Sequence, residues 1–144
     1  MIISIGALML ATFFASAALY ISLVEHPARL GLDDASALTQ WQPSYKRALP
    51  LQAGLAVFGS VAGLIVWYDT EAWQWLVGSL VLLANWPFTL LGIMPTNKQL
   101  MAMQPADAGG ESRKLLRRWG RLHNVRSVLG SLAAALYAAA ILRG

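Results

Sequence analysis

Four long runs without a charged side chain constrain this chain more than any other feature. They are Met1 to Val24, Ala48 to Tyr68, Ala72 to Met94 and Ser127 to Leu142. A helix needs about 20 consecutive apolar residues, with a usable range of about 17–25, to cross a bilayer's hydrocarbon core. The first three runs meet that length. The fourth is short by about one helical turn, because Arg126 and Arg143 bound it. Composition agrees: of 144 residues 57% are apolar and 12% charged, against about 25% charged in an ordinary soluble domain. The mean hydropathy is +0.52. The pattern predicts one all-α domain over residues 1–144, an integral membrane four-helix bundle. Its spans fall at about 2–24, 48–68, 72–94 and 123–142. The first run has no positive charge before it and extends to Val24, so it reads as a retained helix rather than a cleaved signal. Without cysteine there is no disulfide or thiol chemistry to consider.

The connectors set the orientation. Ten of the eleven Lys and Arg residues lie in the first and third connectors, and only Arg143 lies opposite. The positive-inside rule then puts those two connectors in the cytoplasm and both termini outside, in a bacterial inner membrane. The net charge of +4 is thereby assigned to anionic lipid rather than to nucleic acid. The partners expected are membrane lipid, a lipophilic small molecule and a second copy of the chain.

Local signals refine the spans. Residues 34–45 read as an amphipathic interfacial segment in the first connector, anchored by Trp41 and Tyr45. Pro50 falls in the first turn of the second helix, where proline is tolerated. Pro87 falls inside the third and predicts a kink. "QPADAGGES" breaks the third connector, and the fourth helix begins near Ser112. Gly59 and Gly63, with Ala11, Ala15 and Ala18 and with Gly130 and Ala134, are small residues at helical spacing that permit close packing. Trp86 beside Pro87 reads as a bundle-packing residue.

The polar residues near the helices gather at one end. "VEHPA" closes the first helix, "PTNKQL" follows the third and "WGRLHNVR" opens the fourth. Both histidines, Glu25, Asn97 and Arg126 therefore meet on the same side. Because the fourth run is short, either the bilayer thins or His123, Asn124 and Arg126 lie at membrane depth, facing protein; for Arg126, reaching out to the cytoplasmic headgroups is an equal alternative. Trp119, His123 and Arg126 share a helical face, and Glu25 is the natural charge partner of Arg126. His26 lies before Pro27, where the helix is expected to end. A metal needs three or four ligands; His26, His123 and Glu25 offer three but without a metal-binding spacing. Bis-histidine haem ligation by His26 and His123 is a further alternative to no cofactor at all. Asn97 reads equally as a helix cap and as a site residue.

Four stretches in matching order carry a resemblance: "EHPA", "WQPSYKRA", "PFTLLGIMPTNKQL" and "LLRRWGRLHNVRSVLG". Together they resemble the anthrone oxygenase-like family of small integral membrane proteins, whose bacterial members are catalogued as a domain of unknown function. The resemblance implies oxidation of an anthrone or phenol-like aromatic without a conventional cofactor. It highlights His26, Pro95, Asn97, Trp119, His123 and Arg126. Catalytic roles then fall to His26, His123, Arg126 and Asn97, and substrate contacts to Trp119, Tyr45 and Glu25. The competing expectations are a non-enzymatic membrane protein that binds a small ligand, haem or metal, and a small transporter. Asn85 in the kinked third helix speaks for the transporter; the absence of a charge inside the first run speaks against it.

Overall fold

The computed structural model describes residues 1–143. Nearly all of them belong to four helices: α1 Ile2–Leu30, α2 Asp34–Thr70, α3 Trp73–Ala102 and α4 Gly110–Arg143. A short turn of 3₁₀ helix, Pro105–Asp107, lies between α3 and α4, and no strand occurs among the described residues. Each of the four is long and apolar enough to cross a membrane, the pattern of a multi-pass membrane protein. Helices of 29 to 37 residues run about 44–55 Å at about 1.5 Å per residue, well beyond a core about 30 Å thick. Each helix therefore joins an apolar run to an extension past it. α1 packs on α2 and α4, and α3 packs on α2 and α4, closing an antiparallel ring.

The extensions correct two expected boundaries. Residues 34–45 are not a separate interfacial segment but the first turns of α2, which continues through Pro43 and Pro50. The two prolines are seven residues apart, so they share one face, and both are exposed. The helix absorbs them there by a slight opening of its outer side. Nor does α1 end at His26. It passes through a π-helical turn, Ile21–Glu25, and continues to Leu30. The wider turn accommodates Pro27, which lacks the N–H that a regular turn would use. The kink predicted at Pro87 is present. α3 breaks at Ala84, resumes over Asn85–Phe88 and then runs through a second π-helical turn, Thr89–Ile93. Asn85 Nδ2 donates to the Leu82 carbonyl at 3.0 Å, satisfying an acceptor at the break. α4 begins within two residues of the expected Ser112, whose Oγ bonds the Gly109 carbonyl at 2.9 Å.

The ends are fastened by charge and caps. Asp33 caps α2, accepting from Ser36 N at 3.0 Å and Ser36 Oγ at 2.6 Å. Those bonds hold its carboxyl below the usual carboxylate range. Arg113 of α4 donates to Asp34 Oδ1 at 2.7 Å and to the Leu30 and Leu32 carbonyls at 2.6 Å. It ties the α1–α2 turn to α4. The tight α2–α3 link turns on Glu71, whose φ of 56° is left-handed.

Two apolar clusters fill the ring. One comprises Ala7, Ala11, Phe14, Ala18, Trp75, Leu82 and Tyr137. The other comprises Ile21, Leu38, Trp41, Ile93, Leu116 and Trp119. The small residues pack as expected: a side chain at Gly63 would run into the Tyr137 hydroxyl, and one at Gly130 into the Phe14 ring. The Tyr137 hydroxyl reaches the Gly59 carbonyl at 3.1 Å and Ser79 Oγ at 2.7 Å. Buried polar groups lie alongside the clusters, among them Gln52, Asn85, Asn97, His123 and Arg126.

Candidate functional site

α4 brings three of the expected site residues into the interior on one face. Trp119, His123 and Arg126 are 6%, 2% and 7% exposed. Asn124 does not join them; it points outward and is exposed, because one residue beyond His123 the helix has turned by about 100°. α3 contributes Asn97, also buried, and α2 contributes Tyr45.

The two imidazoles are held in the same tautomer, but only one has its lone pair engaged, and that separates their chemistry. His123 Nε2 lies 3.3 Å from the Ala18 carbonyl. A carbonyl only accepts, so Nε2 carries the proton and Nδ1 carries the lone pair. That Nδ1 is buried and has no hydrogen-bond partner in the protein. Ala18 stands just before the α1 π-helical turn, where the regular backbone pairing shifts register and leaves a carbonyl within reach. His26 carries its proton on the same nitrogen, but its lone pair is taken. Arg29 Nη1 lies 2.8 Å from His26 Nδ1, and a guanidinium only donates, so Nδ1 is the acceptor and Nε2 bears the proton. Its ring sits against Gly120, where a Cβ would come within 2.5 Å of Nε2. His26 therefore has no free lone pair, whereas His123 keeps one.

The expected Glu25–Arg126 pair is absent. Glu25 Oε1 instead pairs with Arg29 at 2.6 Å and accepts from Ser44 Oγ at 2.5 Å and Gln40 Nε2 at 3.2 Å. Arg29 also donates to Gln40. The reason is the continued helix: with α1 intact to Leu30, residues 25 and 29 stand one turn apart on the same face. Arg126 has no carboxylate. The two ion pairs among the described residues are Glu25–Arg29 and Asp34–Arg113. Its Nε has no partner in the protein, and its guanidinium carbon stands 5.6 Å from the centre of the Phe14 ring.

Aromatic rings wall the site. Trp119 stacks on His123 at 4.8 Å and touches His26 at 5.1 Å. It meets Trp41 edge-on at 5.7 Å, and Trp41 stacks on Tyr45 at 4.9 Å. The histidines are thus joined through Trp119 rather than to each other. Each has one nitrogen committed to a protein partner. No three His, Asp or Glu side chains cluster at metal-binding distance among the described residues.

Two hollows open here. An inner chamber of about 20 Å³ is lined by Arg29, Trp41, Asn97, Trp119, His123 and Arg126, together with Gln52 and both π-turn isoleucines, Ile21 and Ile93. That volume suits one small molecule of the size of water. A groove of about 290 Å³ lies between α2 and the broken part of α3, and Gln52 and Arg126 line it too. Trp86, expected in bundle packing, stands at its lip, 40% exposed.

Sequence reading missed Arg29 and Gln52, and it set Trp41 at the membrane interface although its ring is buried in the site wall. Arg29 was hidden by the expected helix end, although the Glu25/Arg29 spacing signals an i,i+4 pair. Gln52 is a strongly polar residue inside an otherwise apolar run, which is itself a signal.

A family model described as anthrone oxygenase matches residues 41–136. Among curated proteins, "Anthrone oxygenase tpcL" of Aspergillus fumigatus is 39% identical over 71 residues, covering 47% of this chain and 44% of that protein. "Anthrone oxygenase" of Claviceps purpurea is 27% identical over 143 residues, covering 88% of this chain and 81% of that protein. No solved structure matches the chain. The residues matched by the family model include Tyr45, Gln52, Asn97, Trp119, His123 and Arg126, but neither Glu25 nor His26.

Proposed function

We propose, on the premise that the chain belongs to the anthrone oxygenase family, that it is a membrane-embedded oxygenase acting on a lipophilic aromatic of the anthrone or phenol kind. The observation that carries this reading is the pairing of an unpartnered imidazole lone pair on His123 with a buried guanidinium, Arg126, that has no carboxylate. A buried cation without a counter-ion is costly to maintain. The cost is offset when a negative charge develops beside it during reaction.

The chemistry needs no resident metal or organic cofactor. A base removes a proton from the carbon flanked by the aromatic rings, leaving an electron-rich enolate. His123 Nδ1 serves as that base, directly or through one water in the inner chamber. The enolate carbon bonds to dioxygen, and the peroxide, once protonated, loses water to leave a ketone. In sum a CH₂ and O₂ become a C=O and H₂O. Arg126, with the Asn97 amide, stabilises the enolate and peroxide oxygens. His26 is a positioning residue, held by Arg29 and bearing on Trp119. The membrane supplies both an apolar substrate and dissolved oxygen. The basic connectors favour an orientation with the α1–α2 and α3–α4 ends in the cytoplasm of a bacterial cell and both termini outside.

Oxygen uptake with anthrone by the purified protein in nanodiscs tests the reading. His123→Ala should slow it by about 10²–10⁴-fold, the usual worth of a general base. Equal uptake by wild type and variant removes His123 from the chemistry. No uptake by wild type that nevertheless binds anthrone would mark a ligand-binding protein instead.

A further inference from the structure

The inner chamber is too small for the substrate that the proposed function requires. At about 20 Å³ it admits water or dioxygen, not a fused aromatic. Its rings are also engaged with one another: Trp119 is enclosed by Trp41, His26 and His123, and Trp41 covers a face of Tyr45. The expected ring platform at Trp119 and Tyr45 is therefore already filled by protein. The aromatic body has to lie elsewhere within reach of Arg126.

The groove between α2 and α3 has the size and the chemistry. Its walls are Leu49, Pro50, Ala53, Ala56, Leu90 and Met94, with Trp86 at the lip. Trp86 Nε1 donates to the Ala53 carbonyl at 3.3 Å. That bond holds its indole edge to α2 and leaves the ring as a wall. Besides Thr89, at 8% exposed, three polar side chains more than nine-tenths buried stand at the floor: Gln52 at 2%, Asn85 at 2% and Arg126 at 7% exposed. Each carries an atom without a partner in the protein: Gln52 Nε2, Asn85 Oδ1 and Arg126 Nε. The orientation of Asn85 follows from its neighbour, since its Nδ2 donates to the Leu82 carbonyl and its oxygen is left as an acceptor. Two donors and one acceptor at the bottom of an apolar slot specify a ligand with both an accepting oxygen and an O–H. The break in α3 at Ala84 and Pro87 builds this floor, for it is what frees the Leu82 carbonyl to hold Asn85.

We propose that this groove is the substrate-binding cleft, opened sideways to the lipid, and that Gln52 and Asn85 select a hydroxyl-bearing aromatic by its oxygen substituents. The inner chamber then takes dioxygen or water, and Arg126, which lines both hollows, sits where the two reactants meet. This assignment rests on the oxygenase reading for its substrate, but binding can be measured apart from turnover.

The test uses the full chain in nanodiscs, with binding followed by quenching of tryptophan fluorescence and empty nanodiscs as the partition control. The probes are 2-hydroxyanthraquinone, which has a free O–H, and anthraquinone, which has none. Wild type should bind the hydroxylated probe about tenfold or more tighter, because the other probe leaves a buried acceptor unpaired. Asn85→Leu should erase that preference, and Gln52→Leu should weaken both probes. Asn85 also caps the helix break, so a variant at the exposed mouth guards against misfolding. Leu90 is 54% exposed, and Leu90→Trp should block the groove while leaving the helical spectrum intact. In oxygen uptake these variants should raise KM more than they lower kcat. Probe affinities unaltered by both Gln52→Leu and Leu90→Trp would overturn the groove. So would oxygen uptake with KM unaltered in both, and in that case the oxygenase reading would stand. The expected binding pattern without any oxygen uptake would leave the groove in place and remove the oxygenase reading.

Discussion

Replacing Arg126 with methionine should make the protein more stable and less active at once. The guanidinium is 7% exposed, pairs with neither carboxylate of the two ion pairs, and has an Nε without a partner. Burying such an ion costs several kcal/mol after relaxation. Against this stands its contact with Phe14 at 5.6 Å, a cation–π interaction of about 2 kcal/mol at most when desolvated. The desolvation cost outweighs that contact. Methionine fills a similar volume and adapts its shape. Exchanging a buried charge for a well-packed apolar side chain stabilises by about 1–4 kcal/mol where the ion lacked good partners. Activity moves the other way. Loss of one oxyanion donor lowers kcat by about 10²–10³. The assays are unfolding of the purified protein in detergent and oxygen uptake with anthrone. Destabilisation by more than about 2 kcal/mol would refute the reasoning, because it would make Arg126 a structural tie whose partners outweigh its burial. Full activity in a stable variant would refute the catalytic half.

Two other substitutions probe the surrounding frame. Arg29→Gln removes the partner of Glu25, which is 22% exposed at its side chain, and of His26 Nδ1. It should cost about 2–3 kcal/mol, the upper range for hydrogen bonds to charged groups. It should also release His26 from its single tautomer, visible in the nitrogen chemical shifts of the ring; an unchanged tautomer would refute the assignment. Tyr137→Phe deletes the hydroxyl that meets the Gly59 carbonyl and Ser79 Oγ far from the site. It should lower stability by about 0.5–2 kcal/mol and leave oxygen uptake unchanged, and a loss of activity without a loss of stability would contradict its packing role.

Much of the architecture follows from the chain's local chemistry. Uncharged runs of spanning length can bury themselves only as helices in an apolar medium, since every backbone polar group must be paired within its own segment. The number of helices, the kink at Pro87 and the start of α4 near Ser112 were all legible for that reason. So was the inward face of Trp119, His123 and Arg126, which is a matter of helical periodicity. The charge pairing was not. Whether Glu25 meets Arg126 or Arg29 depends on whether α1 ends at His26 or passes Pro27 through a π-helical turn, and a local propensity to stop was overridden by packing against α2 and α4. The imidazole that keeps a lone pair was equally hidden, because it depends on contacts between residues 105 apart. Only the assembled bundle brings Gln52, Asn85 and Arg126 from three helices to one floor. Periodicity sets the face on which a side chain stands; which partner waits there is decided by how the helices pack and where they break.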